Sequence, residues 1–251
     1  MHTVHGHGHR HGNKHTHTHK DPAPTEGRLI RWARFYDPLI WLKLLGQTHK
    51  LRTLPLDLAN IRLGERVLDV GCGTGDVTLA AARRVGHGGT VYGIDASPEM
   101  IDVARSKARR RRLPAQFLVE PVEALSFDDG SFDVVLSSLM MHHLPRELRR
   151  RALAEIRRVL RPGGRVVIVD LQAMSRSPRP WEPGWLVTRL HKLGTSPPAE
   201  VQASIEARAA LLSEAGFHAI KSGSTRYSWL GYALGRKPSV ESQEGLSPSE
   251  R

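Results

Sequence analysis

Residues 67–76 read VLDVGCGTGD, and this stretch decides the fold. An apolar run typical of a buried strand passes into three glycines at alternate positions, Gly71, Gly73 and Gly75, and then into the helical run Val77–Val85. Glycine allows a sharp backbone turn and lets main-chain atoms approach a ligand closely. Because ligands bind beyond the carboxyl ends of strands in an open parallel sheet, this loop is the first candidate binding site.

Two common glycine-rich motifs do not fit this spacing. The dinucleotide fingerprint requires G-x-G-x-x-G, but its sixth position is Asp76 when counted from Gly71 and Thr78 when counted from Gly73. No Gly-Lys-Ser/Thr follows, so the loop is not a P-loop either. The loop therefore needs a different ligand.

Asp95 indicates what that ligand is. It lies twenty residues beyond Gly75, at the end of a second apolar run. A carboxylate in this position can accept hydrogen bonds from both hydroxyls of a ribose. A lone aspartate at a strand end more often caps a turn or a helix, but together with the glycine loop it predicts a nucleoside-containing ligand.

Around the loop, apolar patterns of strand and helix alternate along the chain, which predicts a parallel sheet covered by helices on both faces. The predicted strands are Arg66–Val70, Thr90–Ile94, Ala115–Val119, Phe132–Ser137, Arg165–Asp170, Phe217–Ser222 and Ser228–Leu234. The predicted helices are 28–46, interrupted at Pro38, then Val77–Val85, Ser97–Arg111, Arg146–Leu160 and Val201–Ala215. The segment Arg161–Gly164 is expected to end the fourth of these helices.

The composition excludes several classes of protein. The 251 residues are 39% hydrophobic and 25% charged, as in ordinary soluble domains. The single cysteine, Cys72, excludes an intramolecular disulfide framework and a multi-cysteine zinc cluster. No run approaches the roughly 20 apolar residues that span a bilayer, and the first twenty residues contain no apolar signal segment. We therefore expect a cytoplasmic protein.

The net charge of +12 attracts nucleic acid or anionic lipid without specificity. Four consecutive arginines, residues 109–112, end one predicted helix, where cations suit the helix dipole. No RNA-binding motif accompanies them, so nucleic acid is not an expected partner.

The two ends of the chain have a polar composition that predicts disorder, in residues 1–20 and 239–251. Residues 1–20 contain eight of the fourteen histidines. Clustered neutral imidazoles bind divalent metal ions weakly, although a solvated tail with incidental metal binding is the simpler interpretation. The candidate metal-binding residues are His5, His7, His9, His11, His15, His17 and His19.

The stretch Val67–Asp76, with Asp95, the run Phe132–Val135 and Leu160–Gly164, resembles the class I S-adenosylmethionine-dependent methyltransferases. The nearest similarity is to the ubiquinone/menaquinone-biosynthesis type, from about Tyr36 to Gly235. The resemblance implies a Rossmann-like, doubly wound, mostly parallel seven-stranded sheet. It places a methyltransferase domain at residues 21–238, with a lid helix at 28–46 and a substrate-side insert at 171–200.

The resemblance also implies the residues that hold the cofactor. Asp69 and the backbone of the glycine loop would bind its amino-acid end, Asp95 its ribose, and Ala96 and Met100 its adenine. The expected cofactor-binding set is Asp69, Gly71, Cys72, Gly73, Gly75, Asp95, Ala96, Met100, Val122 and Ser137. One position departs from the family: where an aspartate usually binds the adenine amino group, this chain has Pro121. The backbone N–H of Val122 or the carboxylate of Glu120 would then have to replace it.

The segment after the fourth predicted strand faces the transferred methyl group in this family. His143 matches a histidine often found there, and His142 is an additional one, so both are candidate general bases. A packing or helix-capping role for His143 is equally compatible with the sequence. The expected acceptor-binding residues are Tyr36, Trp41, Met140, His143, Asp170 and Trp185.

Together these features predict a methyltransferase that acts on carbon or oxygen of a small apolar or lipid-like acceptor, such as a quinone precursor. Aromatic and aliphatic residues in 28–46 and 171–200 suit such an acceptor and also a peripheral contact with an anionic membrane. Two alternatives remain open. One is a phospholipid N-methyltransferase, and the other is a metal-binding protein whose cofactor-binding fold has little catalytic activity.

Overall fold

The computed structural model describes residues 48–172, 205–227 and 229–239. Its helices are α1 (Thr48–Ala59), α2 (Asp76–Val85), α3 (Pro98–Arg111), α4 (Arg146–Val159) and α5 (Ile205–Glu214). Its strands are β1 (Arg66–Val70), β2 (Thr90–Asp95), β3 (Ala115–Val119), β4 (Phe132–Ser138), β5 (Leu160–Leu171), β6 (His218–Ser224) and β7 (Leu230–Arg236). None of the described helices has the length and apolar character needed to cross a membrane.

The seven strands form one sheet in the order β3-β2-β1-β4-β5-β7-β6. The first five are parallel, and β7 runs antiparallel to both β5 and β6. This arrangement confirms the predicted Rossmann-like, mostly parallel sheet. Strand order reverses between β1 and β4, so the switch point of the sheet lies directly beyond the strand that carries the glycine loop.

Alternate residues of the strands pack on opposite faces of the sheet. On β1, Val67 packs with α1 and α2, whereas Leu68 packs with α4 and α5. A third apolar cluster joins α2, α3 and β3 around Leu79, Ile101 and Phe117. These clusters fix the ends of β1, β2, β4 and β5 relative to one another, and those ends carry the candidate site.

The structure corrects one predicted boundary. Helix α4 ends at Val159, and β5 begins at Leu160, so Arg161–Gly164 lies inside a strand rather than between a helix and a strand. The β4–β5 register shifts here: Phe132 pairs with Leu160, and Val134 with Arg165. The bulge fits three extra residues on β5 by placing Gly163 at φ 75°, a conformation that glycine adopts without strain.

Helix α1 and the short 3₁₀ turn at Met141–His143 were not predicted from the sequence. The predicted helix 28–46, residues 173–200 of the predicted insert, and the N-terminal tail lie outside the described residues, together with Tyr36, Trp41 and Trp185.

Candidate functional site

The three glycines of the loop have left-handed backbone conformations, with φ of 66° at Gly71, 54° at Gly73 and 81° at Gly75. A Cβ at Gly71 would collide with the Met140 side chain, and a Cβ at Gly75 would lie 2.8 Å from Ala104 and Phe117. Among the described residues, no atom lies within 4 Å of a Cβ placed at Gly73. Gly71 and Gly75 therefore permit close packing inside the protein, and Gly73 is the glycine that faces open space.

Asp95 ends β2 directly beside the loop. Its Oδ2 accepts a hydrogen bond from the Gly73 N–H at 3.0 Å, and its Oδ1 accepts one from the Ser97 N–H at 2.9 Å. Burial raises the pKa of this carboxyl, while the two N–H donors oppose the rise. The contact between Gly73 and Asp95 places the two strongest predicted ligand-binding features at one point.

Asp69 lies beneath the loop, whereas Cys72, within the loop, is partly exposed. Asp69 is 1% exposed, and its Oδ2 accepts a hydrogen bond from the Thr78 hydroxyl at 2.6 Å. Burial raises the pKa of Asp69 to about 7. The Cys72 side chain packs beside Leu79 and Phe117, and burial raises the pKa of its thiol well above the ordinary value. A thiol in that state is a poor nucleophile.

The residues expected around the adenine are only in part accessible. Ala96 is half-buried, whereas Met100 and Val122 belong to the interior. The Glu120 carboxylate accepts hydrogen bonds from the backbone N–H and the hydroxyl of Ser126. Because of these bonds, Glu120 is not placed to replace the aspartate that usually binds the adenine amino group and whose position Pro121 occupies.

Ser137 lies at the carboxyl end of β4, between Val70 of β1 and Ile168 of β5. Its hydroxyl is fully buried and has no hydrogen-bond partner in the structure. Buried hydroxyls without a hydrogen-bond partner are rare, so this one indicates that the end of β4 at the switch point is part of a site.

The chain leaves β4 through a strained turn. Leu139 has a φ of 56°, which costs a residue with a side chain about 1–2 kcal/mol, and its N–H donates to the Val169 carbonyl. The turn sets Met140 against Gly71 and starts the 3₁₀ turn that carries His142 and His143. The two imidazole rings lie 4.0 Å apart between their centroids.

His142 is held by a carboxylate. Its Nδ1 lies 2.6 Å from Oδ1 of Asp170, and its backbone N–H donates to Oδ2 of Asp170 at 2.9 Å. Burial alone would raise the pKa of Asp170, but His142, followed by Arg208, holds that pKa below its usual value. An ionised Asp170 fixes the proton on Nδ1 and leaves Nε2 of His142 as a proton acceptor.

A cavity of about 30 Å³ adjoins this pair. It is lined by Met141, His142, Arg149, Leu153, Ile168, Asp170, Arg208 and Leu211. Sequence reasoning missed both arginines because they come from α4 and α5, far along the chain from the glycine loop. Only the fold brings them to Asp170, and the sequence offered no signal for that contact.

Comparison with known proteins agrees with this geometry. Residues 67–164 match the family model described as a methyltransferase domain. The chain resembles a methyltransferase domain over these residues. It is 32% identical over 161 residues to the chloroplastic 2-phytyl-1,4-beta-naphthoquinone methyltransferase of Arabidopsis thaliana, covering 62% of this chain and 61% of the relative. It is 38% identical over 135 residues to the demethylmenaquinone methyltransferase of Thermus thermophilus, covering 54% and 60%.

The chain thus spans about three fifths of the length of these relatives. Among solved structures, the SAM-dependent methyltransferase of Aquifex aeolicus superposes with a TM-score of 0.62 at 22% identity, covering 81% of this chain and 96% of the other. This likeness supports the fold.

Proposed function

We propose that this protein transfers a methyl group from S-adenosylmethionine to a ring carbon of a small quinone precursor. The observation that carries the proposal is the contact between Gly73 and Asp95 at the switch point of the sheet. Two relatives whose names specify a naphthoquinone and a demethylmenaquinone support the acceptor class. Oxygen methylation of a related phenolic acceptor would use the same residues.

The residues present fit the cofactor. The space beside Gly73 can take a ligand without displacing any atom of the described residues. The carboxylate of Asp95 keeps lone pairs beyond the two that accept the Gly73 and Ser97 N–H groups, and these would accept the ribose hydroxyls. Met140, packed on Gly71, would lie between the cofactor site and the acceptor site. When bound, the cofactor supplies an activated methyl group.

His142 has the arrangement of a general base. Asp170 holds its ring through Nδ1, so that in the neutral imidazole Nε2 is the nitrogen that can accept the proton of a phenolic hydroxyl. Loss of that proton makes a phenol ring a stronger carbon nucleophile. His143 stacks beside it, and its backbone N–H donates to the Met140 carbonyl, which completes the 3₁₀ turn.

Transfer of isotopically labelled methyl groups tests the proposal. The full chain is incubated with labelled S-adenosylmethionine and a cell extract, which is then separated into organic and aqueous phases. We expect label in an organic-phase quinone precursor, a loss of cofactor affinity in Asp95→Asn, and a loss of turnover at unchanged cofactor affinity in His142→Gln. Asp102→Asn, on the exposed face of α3, is the matched control for the first variant.

Two results would contradict the proposal: unchanged cofactor affinity in Asp95→Asn, or label confined to the aqueous phase. The second result would favour a polar acceptor. The fold is shared with a phosphoethanolamine N-methyltransferase of Haemonchus contortus, at 17% identity and a TM-score of 0.59. That likeness concerns the fold alone, and the quinone relatives do not favour a phospholipid acceptor.

We also propose that the protein works in the cytoplasm and meets an anionic membrane surface when it takes up a lipid-like acceptor. The excess of basic over acidic residues supports this. Sedimentation with anionic vesicles, compared with zwitterionic vesicles and repeated at high salt, tests it. Equal sedimentation with both kinds of vesicle would exclude an electrostatic contact.

A further inference from the structure

The cavity between α4, α5 and β5 is lined by more positively charged than negatively charged side chains. Arg149 and Arg208 line it, and Asp170 is the single carboxylate among the lining residues that the structure describes. That carboxylate already accepts hydrogen bonds from the ring and the backbone of His142. With a neutral His142, the lining has a net charge of +1.

Arg208 is the unusual member of this group. It is 6% exposed, and its Nη1 has no hydrogen-bond partner in the structure. Gly231 leaves room for it, since a Cβ there would lie 2.8 Å from Nη1 of Arg208. A buried guanidinium N–H without an acceptor costs free energy, so an anionic partner at this point would be strongly held.

Arg149 is held differently. Its Nε donates to the Met141 carbonyl at 3.1 Å and to the Leu144 carbonyl at 2.8 Å. These bonds anchor the guanidinium to the 3₁₀ turn that carries His142. Burial lowers the pKa of both arginines, as expected for cations that lack a full set of anionic partners.

The size and position of the cavity suit one oxygen-bearing group of an acceptor. A volume of about 30 Å³ is roughly twice what one water molecule requires. Met141 and His142 line it, and the preceding Met140 lies against Gly71 of the glycine loop. The cavity therefore adjoins the place where the proposed function puts the acceptor.

We propose that Arg208, assisted by Arg149, binds the ionised phenolic oxygen of the acceptor. This inference rests on the proposed function and specifies how its acceptor is recognised. The phenolic O–H bond breaks, its electron pair stays on the oxygen, and the proton moves to Nε2 of His142, which becomes an imidazolium beside Asp170. The arginines then stabilise the oxygen anion, and His142 with Asp170 retains the proton.

The test uses 4-nitrophenol as the probe, because its ionised form absorbs at a different wavelength from the neutral form. The full chain, with S-adenosylhomocysteine present, is titrated with the probe over a range of pH. We expect the bound probe to ionise at lower pH than the free probe. Arg208→Met should bind the ionised probe at least tenfold more weakly, and Arg208→Lys should recover part of that affinity.

Arg151→Met, an exposed arginine on α4, is the matched control and should bind the probe as the parent does. Affinity for S-adenosylhomocysteine is measured on every variant and should not change, which separates failure of this inference from failure of the proposed cofactor site. Failure of the parent chain to bind the probe, or ionisation of bound and free probe at the same pH, overturns the inference even if Arg208→Met does not fold. Equal affinity of Arg208→Met and the parent overturns it as well.

Discussion

At the scale of single residues, Gly73 and Gly75 offer a matched comparison. Both have a positive φ, so alanine at either position costs about 1 kcal/mol in backbone strain. At Gly75 the new methyl group would also collide with Ala104 and Phe117, whereas at Gly73 it would enter open space beside the loop. We expect Gly75→Ala to lower the free energy of unfolding by about 3 kcal/mol, and Gly73→Ala by about 1 kcal/mol.

The same two variants distinguish an effect on packing from an effect on cofactor binding. Gly73→Ala should lose roughly tenfold or more in S-adenosylmethionine affinity, because its methyl group would occupy the proposed ligand space. Urea unfolding and calorimetry on both variants check the two effects. If Gly73→Ala binds the cofactor normally, the open side of Gly73 does not face the ligand.

The buried Asp69 predicts a dependence of stability on pH. Its folded pKa of about 7 lies above its ordinary value of 3.8, so the folded protein binds a proton that the unfolded chain releases. This contribution is fully present below about pH 4 and is lost as the pH rises to about 7, at about 1.4 kcal/mol per pH unit. Asp69→Asn cannot ionise and should escape that loss.

Urea unfolding at several pH values measures this effect as the difference between Asp69→Asn and the parent. The difference should grow in favour of the variant between about pH 4 and pH 7. A difference that is the same at every pH would show that Asp69 ionises normally in the folded protein.

The sequence predicted the glycine loop and Asp95 because both belong to one short strand–loop–helix–strand unit. Asp170 and His142 were also named in advance, but their contact was not. They follow different strands, and the parallel pairing of β4 with β5 brings them together. Arg149 and Arg208 could not be predicted, since an arginine in an amphipathic helix normally faces water.

At the scale of elements, Asp76 joins three helices. Its carboxylate, 12% exposed at the start of α2, lies 2.6 Å from Arg52 of α1, 3.0 Å from Lys107 of α3 and 3.5 Å from Arg111 of α3. The Lys107 ammonium also donates to the Thr74 hydroxyl in the glycine loop at 2.8 Å. The cluster thus links the packing of α1, α2 and α3 to the position of the loop.

Asp76→Asn removes the negative charge that Arg52, Lys107 and Arg111 share in this cluster. We expect a loss of about 3 kcal/mol in the free energy of unfolding. Asp57→Asn is the control, because Asp57 pairs with Arg84 in an exposed contact between α1 and α2 and should cost less than about 1 kcal/mol. Equal losses in the two variants would mean that the Asp76 cluster contributes no more than a surface ion pair.

The sequence predicted the boundaries of helices and strands well where the apolar residues of the element follow a clear pattern. Strands β1 and β3 have the predicted ends: β1 carries the buried run Val67–Val70, and β3 is buried at Phe117. The start of β5 was wrong because Arg161–Gly164 has the composition of a turn, and only pairing with β4 keeps it in the sheet. Helix α1 was missed because Pro55 interrupts its pattern, although Leu51 and Leu56 pack firmly on the sheet.

At the scale of the whole molecule, metal binding and methyl transfer can be tested separately, because their candidate residues lie in different parts of the chain. Among residues 48–172, 205–227 and 229–239, no group of three or more His, Cys, Asp or Glu side chains is placed to hold a metal ion. The sequence, in contrast, places eight histidines within residues 1–20. Metal binding and methyl transfer should therefore be assigned to different parts of the chain.

A chain that begins at residue 21 tests this separation. We expect it to lose the zinc binding of the full chain, because neutral imidazoles are the ligands that its removed segment supplies. It should keep its affinity for S-adenosylmethionine and its rate of methyl transfer, since the glycine loop, Asp95 and His142 all remain. Zinc titration by calorimetry and the labelled-methyl assay measure the two properties on the same preparations. Undiminished zinc binding would place the metal ligands elsewhere in the chain, and lost turnover would make residues 1–20 part of the catalytic machinery.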